Sequence, residues 1–358
     1  MTNLLDLARP ELRSVRPYTP GAYEPGCIRL NANESPWRTP GDTTERGLNV
    51  YPPPRPTALT EKLSAYYGIE QRQILVTRGS SEAIDVLIRG FCAAGRDGIL
   101  ICPPTFDMYR LYAGIQGAEV RRVPLIREQN FALDTAKVLG AVDETTKLIF
   151  ICSPNNPTGQ SVARADVETI CREVAGRCLV VIDEAYHEFA DAQHFLDLRN
   201  RYKHVVLLRT LSKFVSLAGV RCGLLIGAPE LVEFSQNVLP PYTFPTPSIE
   251  LVLQAMSKDF LRVSEERVAL LKRERGRLAE ALLDVPQILK VYPSDANFIL
   301  VKTANAQTFR ETARRAGVLV RTFDDPLLTN CVRITVGRPQ DNDRLLQAVA
   351  GAERIADA

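Results

Sequence analysis

The sequence predicts an α/β protein: a mostly parallel central sheet with flanking helices, followed by a smaller α+β unit. Three observations carry this. Through the middle of the chain, short apolar runs alternate with amphipathic segments at helical spacing, the mark of strand–helix–strand units. A stretch with four prolines at 237–247 then interrupts the pattern, and the chain beyond it is organised differently. At 358 residues the chain is long enough for one large core and a second, smaller one.

Residues 36–56 are proline-rich and too irregular for regular structure, so they read as a loop that wraps the protein or reaches a neighbour. Strands are expected at 73–77, 98–102, 119–124, 147–152, 178–183, 205–210 and 222–227. Helices run between them, for example at 81–94 and 165–175. Beyond the proline break, 248–283 reads as one or two long charged helices. Strands at 291–293, 297–301, 318–321 and 332–336, with a helix among them, complete the smaller unit. The expected division is an N-terminal arm at 1–40, a large α/β domain at 41–246 and a small α+β domain at 247–358. There is no internal repeat.

Composition narrows the function. A formal net charge of +2 leaves no footprint for nucleic acid. No apolar run approaches the roughly 18 residues of a membrane span. Residues 1–13 alternate apolar and charged residues and lack the apolar core of a signal peptide, so a cytoplasmic protein is expected. The eight cysteines form no CxxC pair, and the three histidines make no HExxH motif. Buried reduced thiols, with no metal, are the plain reading.

Open α/β sheets bind ligands at the carboxyl ends of their strands, and four expected strands end in unusual chemistry. Thr77-Arg78-Gly79-Ser80-Ser81-Glu82 offers backbone N–H groups and hydroxyls at a helix start, which suits an anion; taken alone, the serines read first as a helix cap. Ser153-Pro154-Asn155-Asn156-Pro157-Thr158-Gly159 is a turn that sets an amide, Asn156, at the ligand edge. Asp183 closes the apolar run Val180-Val181-Ile182. It is either a helix cap or a buried carboxylate that needs a cation, such as a protonated pyridine nitrogen. The fourth run decides between these readings. Leu208-Arg209-Thr210-Leu211-Ser212-Lys213 places an amine capable of Schiff-base chemistry directly after a strand. Arg221 lies eight residues further on, and with Ser212 it is suited to holding a phosphate.

Together and in this order, SPNNPTG, DEAY, TLSK and AGVRCG resemble the fold-type-I aminotransferases that use pyridoxal 5'-phosphate (PLP), over nearly the whole chain. Within them the wording is most similar to the histidinol-phosphate aminotransferases: Leu30-Asn31-Ala32-Asn33-Glu34, Tyr51-Pro52, Cys102-Pro103-Pro104-Thr105, RTLSK and Val332-Arg333-Ile334-Thr335-Val336-Gly337. The resemblance implies that Lys213 is the Schiff-base lysine and proton carrier, and that Asp183 pairs with the ring nitrogen. Asn156 and Tyr186 would bond the ring's phenolic oxygen, and Phe106 would stack on the ring. Ser80, Ser81, Ser212 and Arg221 would bind the phosphate, joined by Tyr51 from the other subunit of a homodimer. Arg321 and Arg333 would bind the substrate's anion, with Tyr18 and Asn33 nearby. The implied substrates are L-histidinol phosphate and 2-oxoglutarate or glutamate, in histidine biosynthesis. Three departures bear on specificity: Phe106 where tyrosine is frequent, Pro53-Pro54 after Tyr51-Pro52, and Phe214 after the lysine. The alternatives are an aromatic or other amino-acid aminotransferase, a threonine-phosphate decarboxylase, or a non-catalytic PLP-binding regulator. Nothing ahead of Asn31 is long enough for a regulator's DNA-binding domain.

Overall fold

Each of the seven apolar runs expected in the large sheet forms a strand, with ends that move by no more than two residues. The computed structural model describes residues 4–16, 18–22, 24, 27–191 and 194–350. The strands are β1 Ile74–Thr77, β2 Gly98–Ile101, β3 Glu119–Arg122, β4 Thr146–Cys152, β5 Leu179–Asp183, β6 Val205–Thr210 and β7 Gly223–Ile226. They line up as β1-β7-β6-β5-β4-β2-β3. Only β7 runs against its neighbours.

The middle strands β5 and β6 are buried along their whole length, as strands covered by helices on both faces must be. Their side chains alternate between two cores. Val180 and Ile182 join a core with the helices Thr57–Tyr67 and Arg164–Glu173, through Leu59, Leu63, Val167 and Ile170. Leu179 and Val181 join the other, with Ile84 and Leu87 of the helix Ser80–Phe91 and Tyr109 of the helix Met108–Gln116.

The second sheet is antiparallel, with β8 Ile288–Val291, β9 Phe298–Thr303, β10 Arg321–Thr322 and β11 Cys331–Thr335 in the order β10-β11-β9-β8. One face packs Ile299, Val301, Val332 and Ile334 against Leu278, Leu282 and Phe309 of the covering helices. The other face turns Leu300 into the core of the large sheet. Arg333 stands opposite Leu300 in register, so strand alternation directs Arg333 to the face that meets the large sheet.

The smaller unit departs from expectation at two strands. Val318 and Val320 pack on the small core while Leu319 is exposed, but the segment lacks ladder partners until Arg321. Apolar alternation there reports packing, not pairing. β8 ends at Val291, ahead of Pro293, which has no N–H to give to a ladder. The charged run at 248–283 is two helices, Thr246–Ala255 and Lys258–Leu283, divided where Ser257 takes an extended backbone.

Candidate active site

The carboxyl ends of β4, β5 and β6 converge on a cavity of about 160 Å³, whose lining includes Ser80, Ser81, Asp183, Tyr186, Lys213 and Arg221. It shares Phe106, Asn156, Tyr186 and Lys213 with a wider, open cavity of about 630 Å³ that reaches Arg321 and Arg333. The sheet and the small unit therefore contribute to one continuous site.

Asp183 is the last residue of β5 and is buried. Its carboxylate accepts hydrogen bonds from the Tyr109 hydroxyl at 2.7 Å and from the Ala185 N–H at 3.1 Å. Burial nevertheless pushes its carboxyl up to about 6, because two neutral donors do not replace the lost hydration of a charge. Such a carboxylate calls for a cation beside it. Asp183 therefore acts as a buried acid group at the sheet's ligand edge and not as a helix cap.

Lys213 lies three residues beyond β6 and opens into both cavities, its Nζ 6.0 Å from the centre of the Tyr186 ring. Its ammonium is pushed below the ordinary lysine range, first by desolvation and then by the charges of Arg333 and Arg221. Although the side chain is exposed to the cavity, its surroundings weaken its hold on the proton, the direction that nucleophilic and proton-transfer chemistry needs.

One hydrogen-bond chain crosses from the small sheet to the large one. Arg333 donates through Nη1 to Asn156 Oδ1, and Asn156 Nδ2 donates to the Tyr186 hydroxyl at 3.3 Å. The Arg333 guanidinium also lies 5.2 Å from the centre of the Phe298 ring, and both Arg333 and Arg321 lie 6.0 Å from that of Phe323. Arg321 and Arg333 face each other in register across β10 and β11. They form a paired cationic wall suited to an oxyanion.

At the inner end, the helix Ser80–Phe91 begins without a side-chain cap. The Glu82 carboxylate turns instead to the N–H of Arg78, at 2.7 Å. Gly79 precedes the helix at φ +75°, and a Cβ there would lie 2.5 Å from Arg221 Nη2. A Cβ on Gly223 would collide with the Gly79 carbonyl carbon at 2.2 Å. Two glycines thus keep Arg221 and an uncapped helix start close together, a cradle shaped for a phosphate. Ser212 accepts from the Thr210 hydroxyl at 2.9 Å on the same side. A buried acid for a ring nitrogen, an amine for a Schiff base and this cradle are the donor set that a phosphorylated pyridine cofactor requires, and the residues fit it.

Residues 25–349 match the family described as aminotransferase class I and II. The chain belongs to that family. A histidinol-phosphate aminotransferase of Stenotrophomonas maltophilia is 41% identical over 359 residues, covering 99% of this chain and 98% of that protein. One of Xylella fastidiosa is 40% identical over 357 residues, 98% of each. Among solved structures, the histidinol-phosphate aminotransferase from Sinorhizobium meliloti in complex with pyridoxal-5'-phosphate shares the fold. Its TM-score is 0.77 at 21% identity, over 86% of this chain and 84% of that one.

Three residues expected at this aminotransferase site lie elsewhere within one chain. Tyr51 stacks on Tyr242 at 4.6 Å, and Tyr18 meets the same ring edge-on at 6.5 Å. Neither these two nor Asn33 lines the cavities. The sequence reading missed Tyr109, whose hydroxyl holds Asp183. Its position three residues after Phe106, at a helix start beside the strand ends, is the signal that points to it. Also missed were Glu184 and Arg209, which form a buried ion pair at 2.8 Å behind the site.

Proposed function

We propose that this chain is a PLP-dependent aminotransferase that moves the amino group of L-histidinol phosphate to 2-oxoglutarate. The products are imidazole acetol phosphate and L-glutamate, a step of histidine biosynthesis. The names of relatives about 40% identical over nearly the whole chain support the substrate. The observation that carries the chemistry is the convergence of Asp183 and Lys213 on one cavity, a buried carboxylate and an amine of lowered proton affinity at and just beyond the ends of neighbouring strands.

When bound, PLP would supply the electron sink for the bond pair left behind as the substrate Cα loses its proton. Asp183 would keep the proton on the ring nitrogen, and the Tyr109 hydroxyl would orient the Asp183 carboxylate. Lys213 would take the proton from Cα and return it on the cofactor side, a task for which its lowered proton affinity suits it. Asn156 and Tyr186 would bond the ring's phenolic oxygen, and Phe106 would cover the ring face. Ser80, Ser81, Ser212 and Arg221 would hold the phosphate. Arg321 and Arg333 would take either the phosphate ester of one substrate or the α-carboxylate of the other. Tyr18, Asn33 and Tyr51 would join a site completed by a second subunit, in a cytoplasmic homodimer.

The test is the holoenzyme with 2-oxoglutarate and a panel of amines, following glutamate. Histidinol phosphate should outrun phenylalanine, tyrosine and unphosphorylated histidinol, and threonine phosphate should release no carbon dioxide. Borohydride should fix the cofactor on Lys213 alone. A better rate with an aromatic amino acid, or trapping on another lysine, would overturn the assignment.

A further inference from the structure

The wide cavity is lined by two further arginines to which the proposed reaction assigns no task. β3 ends in a tandem, Arg121-Arg122, and strand alternation sends the two side chains opposite ways. Arg121 is occupied: it pairs with Asp143 and donates to the hydroxyls of Thr145 and Thr146 at 2.9 and 3.0 Å. Arg122 is exposed and lines the cavity, and among the described residues its side chain has no hydrogen bond or ion pair. Arg110, in the first turn of the helix Met108–Gln116, lines the same cavity. Three carboxylates share the cavity. Asp107 lies 3.6 Å from Arg110, Asp325 accepts from the N–H of Leu327, and Asp324 sits on the segment after β10. None of them pairs with Arg122.

The two amine substrates of the proposed reaction carry an anion on one branch in common and differ in charge on the other. Each presents an anion beside the amine carbon, a phosphate ester or an α-carboxylate, and Arg321 with Arg333 suits either. The other branch ends in an imidazole in one substrate and in a carboxylate in the other. A buried, fixed cation would reject the ring. An exposed guanidinium on a flexible stem can meet a carboxylate and turn to water when a ring arrives. We propose that Arg122, on the large-sheet side of the cavity where Arg321 and Arg333 come from the small sheet, binds the distal carboxylate of the dicarboxylate substrate. The proposal rests on the transamination reading.

The test compares half-reactions of the holoenzyme with L-glutamate, L-norvaline and histidinol phosphate. Norvaline keeps the length of the glutamate arm but lacks its carboxylate. Arg122→Gln should raise KM for glutamate and for 2-oxoglutarate, lowering kcat/KM about ten- to a hundredfold, the size expected for losing a charge-assisted contact. Norvaline and histidinol phosphate should stay within about twofold of the wild type. Arg122→Lys should recover part of the loss, since it keeps the charge without the planar fork. A glutamate reaction that stays within about twofold overturns the proposal, and so does an equal loss with norvaline. If histidinol phosphate fails to react with the wild type, the substrate assignment falls, yet the glutamate–norvaline comparison still decides the role of Arg122.

Discussion

Asp183 shows how a single residue couples the site to the stability of the chain. Its carboxyl is raised from 3.8 to about 6 by burial, so without a bound cation the folded chain holds this proton more tightly than the unfolded chain does. The stabilising contribution is complete below about pH 4 and is lost as pH rises through about 6, because over that window the unfolded chain binds fewer protons than the native one. The loss is on the order of 2–3 kcal/mol for a shift of this size. Urea unfolding of the apoprotein between about pH 4 and 7 should therefore show the wild type losing stability relative to Asp183→Asn, which has no proton to release. Parallel curves for the two proteins would refute it. At this scale the sequence was readable wherever residue type is tied to one task, as with the lysine after a strand or the acid at a strand end. It was silent on Tyr109, because a tyrosine on an apolar helix face looks like core until its hydroxyl is seen to meet a carboxylate.

Among the elements, β5 and β6 do the positioning. Their register sets Asp183 opposite Leu208, and the N–H of Glu184 continues the ladder to the Leu208 carbonyl at 2.9 Å. Directly beyond, Arg209 donates to Glu184 at 2.8 Å, with the two side chains 3% and 1% exposed. Tyr67 covers the guanidinium at 4.9 Å, and the N–H of Phe195 donates to the other carboxylate oxygen at 2.8 Å. A buried pair of this kind clamps two strands, and removing one partner strands the other charge. Arg209→Met should cost about 3–5 kcal/mol in chemical unfolding, whereas Arg209→Met with Glu184→Leu should recover most of it. If the double variant is no more stable than the single one, the pair does not act as a unit. The large sheet was legible because its strands are continuous apolar runs between helices, a pattern with few competing explanations. β8 and β10 were misplaced because a short half-buried strand and an extended packed connector leave the same alternation in sequence. Only the ladder distinguishes them.

For the whole molecule, the telling region is the segment ahead of the first long helix. Ile28 is 90% exposed, Leu30 89% and Trp37 78%. Bare apolar side chains gathered on one segment are a feature of surfaces that bind other proteins. Tyr51 belongs to the same segment and lies outside both cavities, stacked on Tyr242. If it binds the cofactor phosphate, it must do so in the neighbouring subunit. The purified protein should then sediment as a dimer, and subunits carrying Tyr51→Phe mixed with subunits carrying Lys213→Ala should complement. In such a heterodimer one site has Lys213 from the first subunit and Tyr51 from the second, both intact, while the other site lacks both. If Tyr51 served its own subunit, each site of the hybrid would be missing one residue and the mixture would gain nothing over its parents. Activity in verified heterodimers above that of the Tyr51→Phe homodimer is the expected result. A fully active monomer, or heterodimers with no gain, would show that the site is complete within one chain.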